Sequence, residues 1–112
     1  MASTFTNLSY HIIFGTKFRR PLLLPDIRTE LHKYIAGIIS NKGGQPLEIG
    51  GVADHVHVFT GCPAKVALAD FVRDIKANSS KWLREQKGMH DFHWQTGYAA
   101  FTVSFSIAPR VA

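Results

Sequence analysis

The stretch Val52-Ala53-Asp54-His55-Val56-His57-Val58-Phe59 decides the architecture predicted for this chain. Valines alternate with other residues along it, which predicts a β-strand whose side chains point to opposite faces in turn. His55 and His57 therefore share one face of the strand, and the three valines share the other. We expect the valines to pack against a hydrophobic core and the histidines to line the open face of a sheet.

Sequence patterns on either side of this stretch complete the order β-α-β-β-α-β. A run of β-forming residues over 8–17 predicts the first strand, and apolar residues at helical spacing follow Pro25-Asp26, with Asp26 as the expected N-cap. A short strand over 47–50 precedes the histidine strand. A second amphipathic helix is predicted over roughly 64–86, and further strands within 92–105. This order predicts an α+β fold, a ferredoxin-like antiparallel sheet with both helices on one face.

The same reasoning predicts two details of the sheet. Gly50-Gly51 is the expected tight turn or bulge before the histidine strand. Alternate residues of the last strand are expected to face inward, namely Phe101, Val103 and Phe105. The residues expected beside the histidines are then Tyr98, Thr102 and Ser104.

Composition places the chain among folded proteins of one domain, covering residues 1–112. Of its residues, 46% are apolar and 19% are charged, which is typical of a globular protein. No apolar stretch approaches the roughly 20 residues that span a bilayer, and the N-terminus lacks the pattern of a signal peptide. The single cysteine, Cys62, fits a reducing compartment. We therefore expect a cytoplasmic protein with no membrane segment.

The charge balance favours a polyanionic partner. Thirteen basic residues against eight acidic ones give a formal net charge of +5. The basic residues cluster after the first strand and along the second helix, and the candidate phosphate contacts are Lys17, Arg19, Arg20, Arg73, Lys76 and Lys81. Trp94 and Tyr98 are candidates for stacking on unpaired bases. The alternative is an ordinary solvated charged face.

Two histidines on one strand face form half of a metal site. Catalytic divalent sites that act on DNA combine imidazole and oxygen ligands with positions left open for phosphate and water. Asp54 points to the other face of an ideal strand and is better placed to support a ligand or cap a turn. His11 on the first strand is a further candidate for the open face. From spacing alone, two surface histidines that only form hydrogen bonds are the favoured alternative.

Four motifs in order resemble one known family. They are Tyr10-His11-Ile12-Ile13-Phe14-Gly15-Thr16-Lys17, Gly50-Gly51-Val52-Ala53-Asp54-His55-Val56-His57, Ser79-Ser80-Lys81-Trp82, and the run from Trp94 to Ser104. Together they resemble the single-tyrosine HUH transposases, in particular the branch similar to REP-associated tyrosine transposases. The resemblance covers residues 8–104.

This resemblance implies a ferredoxin-like homodimer that binds hairpins in single-stranded DNA and cuts and rejoins the strand during DNA transposition. It implies that His55 and His57 hold Mg²⁺ or Mn²⁺. A tyrosine then attacks the phosphate and forms a 5′-phosphotyrosine bond, which preserves the energy for rejoining.

The resemblance leaves the nucleophile unassigned. In the family the tyrosine lies on a helix after the last strand, and a further polar residue on that helix completes the metal ligands. We expect the domain to be truncated at its C-terminal end and to lack both groups. Tyr98 matches a position that the family fills in addition to its nucleophile, so it is a weak candidate. A non-catalytic DNA-binding remnant is therefore the alternative function, and a ferredoxin-like module unrelated to DNA is a third.

Overall fold

The computed structural model describes residues 8–103. Four strands and two helices follow one another in the predicted order: β1 (Leu8–Gly15), α1 (Pro25–Asn41), β2 (Gln45–Val52), β3 (His55–Cys62), α2 (Leu68–Gln86) and β4 (Ala99–Val103). A short turn of 3-10 type, Lys17–Arg19, follows β1.

The strands form one antiparallel sheet in the order β2-β3-β1-β4. This is the ferredoxin-like arrangement, so the predicted fold class is confirmed. The two central strands pair along their whole length, with Ile12 opposite Val58 and Phe14 opposite Val56. Because paired residues project to the same side, these four side chains form one buried layer beneath the helices.

Both helices cover this one face of the sheet. Fully buried apolar residues lie four or eight positions apart, which places them on one stripe of each helix: Leu31, Ile35 and Ile39 from α1, and Phe71, Ile75 and Leu83 from α2. Burying each such side chain contributes roughly 1.5–3 kcal/mol. Truncating Phe71 to alanine would cost about 3–5 kcal/mol, because the cavity could collapse only in part.

The helix starts differ from the predicted ones. Leu24 is the N-cap of α1 and makes no side-chain capping hydrogen bond, so the prediction of Asp26 as N-cap is wrong. Pro25 occupies the first helical position, where its missing N–H is not needed and its fixed φ suits the helix. α2 begins at Leu68 rather than near residue 64. Neither α1 nor α2 is long and apolar enough to cross a membrane.

The histidine stretch is a hairpin rather than one strand. Val52 ends β2, and Ala53 and Asp54 form the turn that leads into β3. Val52 pairs with His55 and is half exposed, so the expectation that it faces the core with Val56 and Val58 is wrong. The expected turn at Gly50-Gly51 is also wrong, since both glycines lie within β2.

The side chains of β4 point to the faces of the sheet opposite to those predicted. Ala100 pairs with Ile12 and packs against the core, which puts Phe101 opposite His11 on the open face. Phe101 is 57% exposed, and Thr102 lies opposite Tyr10 on the helical side. The predicted alternation is therefore one residue out of phase, because the small Ala100, rather than a large aromatic residue, fills the space beside Ile12. The expectations for Ser104 and Phe105 lie outside the described residues.

Candidate metal and nucleic-acid site

A tight β2–β3 hairpin brings the two histidines to the end of the open face. At Gly51, a Cβ atom would lie 2.4 Å from the carbonyl oxygen of His55. Only glycine therefore allows β2 to approach β3 at this point. Thr16 fixes the neighbouring end of β1, because its backbone N–H donates to the carbonyl of Asp54 at 2.9 Å.

Asp54 holds the ring of His55. The Nδ1 atom of His55 lies 2.7 Å from Oδ1 of Asp54, and Nε of Arg19 lies 3.5 Å from the other carboxylate oxygen. The hydrogen bond from His55, assisted by the charge of Arg19, lowers the pKa of the Asp54 carboxyl group. Asp54 therefore stays ionised near neutral pH. It accepts the Nδ1 proton of His55 and leaves Nε2 as the lone-pair nitrogen.

His57 has a partner on the adjacent strand. Its Nδ1 atom lies 2.9 Å from Nε2 of His11, and the ring of His11 stacks on Phe59 with 4.2 Å between the ring centroids. Burial, together with the nearby His55 and His11 rings, lowers the pKa of the His57 imidazole. The neutral form of His57, which is the form that binds metals, is therefore favoured.

These contacts suit a divalent metal ion. Both Nδ1 atoms are engaged, so the Nε2 atoms of His55 and His57 are the ones available as ligands, and the two ring centroids lie 4.9 Å apart. Within residues 8–103, no group of three or more His, Cys, Asp or Glu side chains is placed to hold a metal. Among the described residues, the Nε2 atoms of His55 and His57 are the candidate metal ligands.

A cavity of about 370 Å³ opens beside the two histidines. Its wall includes Arg19, Gln95 and Tyr98 as well as His55 and His57. A guanidinium group beside two imidazole rings makes the cavity suitable for a phosphodiester, because the guanidinium can donate hydrogen bonds to phosphate oxygens.

Residues 4–111 match the family model for IS200-like transposases. The chain belongs to this transposase family. It is 31% identical over 114 residues to the transposase for insertion sequence element IS200 of Salmonella typhimurium, covering 96% of this chain and 75% of that protein. It is 25% identical over 103 residues to the ISDra2 transposase TnpA of Deinococcus radiodurans, covering 87% and 74% respectively.

Two solved structures share the transposase fold. A crystal structure of a transposase from Deinococcus radiodurans superposes with a TM-score of 0.77 at 22% identity, covering 94% of this chain and 85% of that one. A REP-associated tyrosine transposase bound to a REP hairpin superposes with a TM-score of 0.67 at 15% identity, covering 93% and 61%. These likenesses support the ferredoxin-like architecture of the transposase domain.

Lys76 of the transposase has a different environment from the expected one. Its ammonium group donates to the backbone carbonyls of Gln95 at 2.7 Å and Gly97 at 2.6 Å, and burial lowers its pKa. Lys76 therefore ties α2 to the loop that carries Tyr98 into the cavity wall. Arg73, on the same helix, forms ion pairs with Asp70 and Asp74. Lys81 is exposed.

Trp94 is not available to stack on DNA. It is only 8% exposed, its indole N–H donates to Oγ of Ser79 at 3.0 Å, and its ring packs edge-on against Phe14 and Phe92. The expectation that Trp94 contacts an unpaired base is therefore wrong. Residue 94 forms a single bridge with Thr16 rather than a strand, which draws the loop before β4 against the end of β1.

Two features of the site are not evident from the sequence, the role of Gln95 and the contact between His11 and His57. Gln95 lies in the cavity wall, and its side-chain oxygen accepts the backbone N–H of Phe18 at 3.2 Å. Nothing in the local sequence distinguishes this residue. The contact of His11 with His57 depends on the β1–β3 register, which places His11 opposite Phe59 and therefore on the same face as His57. The other basic candidates, Lys17 and Arg20, lie with Arg19 at the exposed turn after β1.

Proposed function

We propose that this transposase binds hairpin-containing single-stranded DNA beside His55 and His57, and cuts and rejoins it by metal-assisted tyrosine transesterification. The observation that supports this proposal is that Asp54 and His11 each contact the Nδ1 atom of one of the two histidines. The Nε2 atoms of both rings are then left to bind a metal ion. This arrangement is typical of metal-binding histidines and is not required by two ordinary surface histidines.

The bound ion in this proposal is Mg²⁺ or Mn²⁺. Such an ion would polarise the scissile phosphate by drawing charge from a non-bridging oxygen. The chain's own residues orient the substrate: Arg19 in the cavity wall offers a charge to a neighbouring phosphate, and Asp54 keeps both Arg19 and His55 in place.

The proposed DNA-binding surface extends from the cavity over the turn after β1 and along α2. Lys17, Arg19, Arg20 and Lys81 are exposed and form its phosphate contacts. A hairpin is the proposed target because the REP-associated transposase that shares this fold is bound to one. Tyr98, which is 41% exposed in the cavity wall, is proposed to contact the same DNA strand.

Two candidate functions differ in whether the protein supplies a nucleophile. Of the three tyrosines in the sequence, Tyr10 packs against the core and Tyr34 stacks on Trp82, whereas Tyr98 lines the cavity. Tyr98 lies in a loop before β4, not on a helix, and only two metal ligands come from the described residues. The position of Tyr98 in a loop leaves a second candidate, a protein that binds such DNA without cutting it.

We also propose that the protein is a homodimer. β2 and β4 are the edge strands of the sheet, and their unpaired backbone groups offer a surface for a second copy. Sedimentation showing only monomer at high concentration would refute this part of the proposal.

Covalent capture tests the proposed chemistry. The protein is incubated with Mn²⁺ and a single-stranded hairpin oligonucleotide, and protein linked to DNA is separated on a denaturing gel. An adduct that is lost in Tyr98→Phe and in His57→Ala supports cutting and makes Tyr98 the nucleophile. Salt-sensitive binding without an adduct supports the second candidate. Failure to bind single-stranded DNA would contradict both candidates.

A further inference from the structure

The turn after β1 exposes an aromatic ring in an unfavourable backbone conformation. Phe18 is 72% exposed, and both Phe18 and Arg19 have positive φ angles, of 61° and 55°. Residues with a side chain rarely adopt this left-handed region, and an exposed phenylalanine gains little from burial. Folding alone would favour glycine and a polar residue here, so the ring calls for another explanation.

Several hydrogen bonds hold this turn in place. The backbone N–H of Phe18 donates to the side-chain oxygen of Gln95 at 3.2 Å, and that of Lys17 donates to the carbonyl of His93 at 3.0 Å. The hydroxyl of Thr16 donates to the carbonyl of Arg20 at 2.7 Å. The ring is therefore presented by a fixed backbone, which lowers the entropy lost when a ligand binds.

Two cationic side chains lie close to the ring. The ammonium group of Lys17 lies 5.4 Å from the ring centroid of Phe18, and the guanidinium carbon of Arg20 lies 5.9 Å from it. The next side chain, Arg19, lines the cavity beside the histidines. An aromatic face with flanking cations matches a nucleotide, which offers a flat base and a phosphate. The same cations disfavour an apolar protein surface, because burying them would remove their hydration.

We infer that Phe18 is a base-stacking residue that takes one unpaired base of single-stranded DNA next to the metal-binding histidines. This inference rests on the proposed function and adds a contact to it. Lys17 and Arg20 hold the phosphates that flank the stacked base, and Arg19 directs the strand into the cavity. A base inside a duplex is already stacked on its neighbours, so Phe18 favours single strands over duplex.

The test compares Phe18→Leu with the unchanged protein. Binding is measured by fluorescence anisotropy with a labelled oligodeoxythymidine of about 12 nucleotides and with a duplex of the same length. Leucine keeps an apolar side chain and all charges but removes the aromatic face. We expect single-strand affinity to fall about tenfold and duplex affinity to change less than about twofold. Phe18→Trp should restore single-strand binding.

Two further variants exclude effects on folding. Phe18→Gly removes the ring and suits the positive φ angle, so it should unfold at the same or a higher temperature while losing single-strand affinity. Tyr34→Leu removes a partly exposed ring that stacks on Trp82 in the helical layer, and it should bind like the unchanged protein.

The outcomes distinguish this inference from the function on which it rests. If the unchanged protein binds oligodeoxythymidine but Phe18→Leu binds equally well, the inference fails and the proposed function stands. An equal loss of single-strand and duplex binding would also overturn it, because the ring would then only position Lys17 and Arg20. An unchanged protein that binds no single-stranded DNA would overturn both.

Discussion

The Nε2 atom of His11 lies 2.9 Å from the Nδ1 atom of His57, across the two central strands of the sheet. A metal ion at Nε2 of His57 requires the proton of that ring to sit on Nδ1, and Nε2 of His11 is placed to accept it. His11 thus does for His57 what Asp54 does for His55. The two candidate ligands are therefore supported by different groups, an imidazole ring for His57 and a carboxylate for His55.

Replacing His11 should therefore weaken metal binding. We expect His11→Phe, which keeps a ring beside Phe59 but removes the acceptor, to lower Mn²⁺ affinity at least about tenfold in isothermal titration calorimetry. His90→Phe, which changes an exposed histidine in the loop before β4, is the matched control and should bind normally. Equal affinities in the two variants would show that His11 does not support the site.

Lys76 and Lys81 should affect DNA binding differently, although both lie on α2. Lys76→Met should leave the salt dependence of single-stranded DNA binding unchanged, because its ammonium group is used by the carbonyls of Gln95 and Gly97. Lys81→Met should reduce the slope of log affinity against log salt by about 0.7, the value for one phosphate contact on a single strand. Hydrogen exchange should become faster at residues 95–98 in Lys76→Met only. The reverse pattern of salt slopes would make Lys76 the phosphate contact.

The bond between Trp94 and Ser79 should contribute to stability and not to DNA binding. Ser79→Ala leaves the buried indole N–H without its acceptor, at a cost of about 1–3 kcal/mol in the free energy of unfolding. Trp94→Phe combined with Ser79→Ala should cost less than the sum of the two single changes, which urea denaturation can measure. A selective loss of DNA affinity in Trp94→Phe, with stability unchanged, would restore the base-stacking role to Trp94.

Acid should destabilise the fold through His32. Burial, with a smaller effect of Arg28, lowers the pKa of His32 from 6.5, and its Nε2 atom is buried without a hydrogen-bond partner among the described residues. The unfolded chain then binds the proton more tightly, so stability is complete above pH 6.5 and is lost as the pH falls through the lowered pKa. In His32→Leu this loss should be absent, and its free energy of unfolding should fall less steeply between about pH 7 and pH 5. Parallel profiles for the two proteins would contradict this assignment.

The sequence was sufficient for the fold class because two independent signals agree. Helical and strand periodicities specify the order of elements, and for six elements in this order the ferredoxin-like sheet is the expected solution. It was harder to predict which face of the sheet each strand residue occupies. In β4, the alternation of Phe101 with Ala100 is compatible with either phase, and only pairing with His11 and Ile12 selects one. The prediction that Val52 faces the core is wrong for a similar reason. The two-residue turn at Ala53-Asp54 separates β2 from β3, so the alternation of faces does not continue from one strand into the other.

Parts of the site could be predicted where neighbours in sequence are neighbours in space. The shared face of His55 and His57 and the supporting position of Asp54 follow from local geometry. Long-range contacts did not follow from the sequence. The hydrogen bonds from Lys76 to the loop at residues 95–97 and the burial of Trp94 depend on how α2 packs beside the end of β1.

Mn²⁺ binding by the single variants His55→Ala and His57→Ala tests the central claim most directly. The unchanged protein should bind one Mn²⁺ ion, detected by electron paramagnetic resonance, and each variant should bind at least about tenfold more weakly while keeping the circular dichroism of the folded protein. His93→Ala, at an exposed histidine of the loop before β4, should bind as the unchanged protein does. Unchanged Mn²⁺ affinity in folded His55→Ala and His57→Ala would show that the pair is not the metal site.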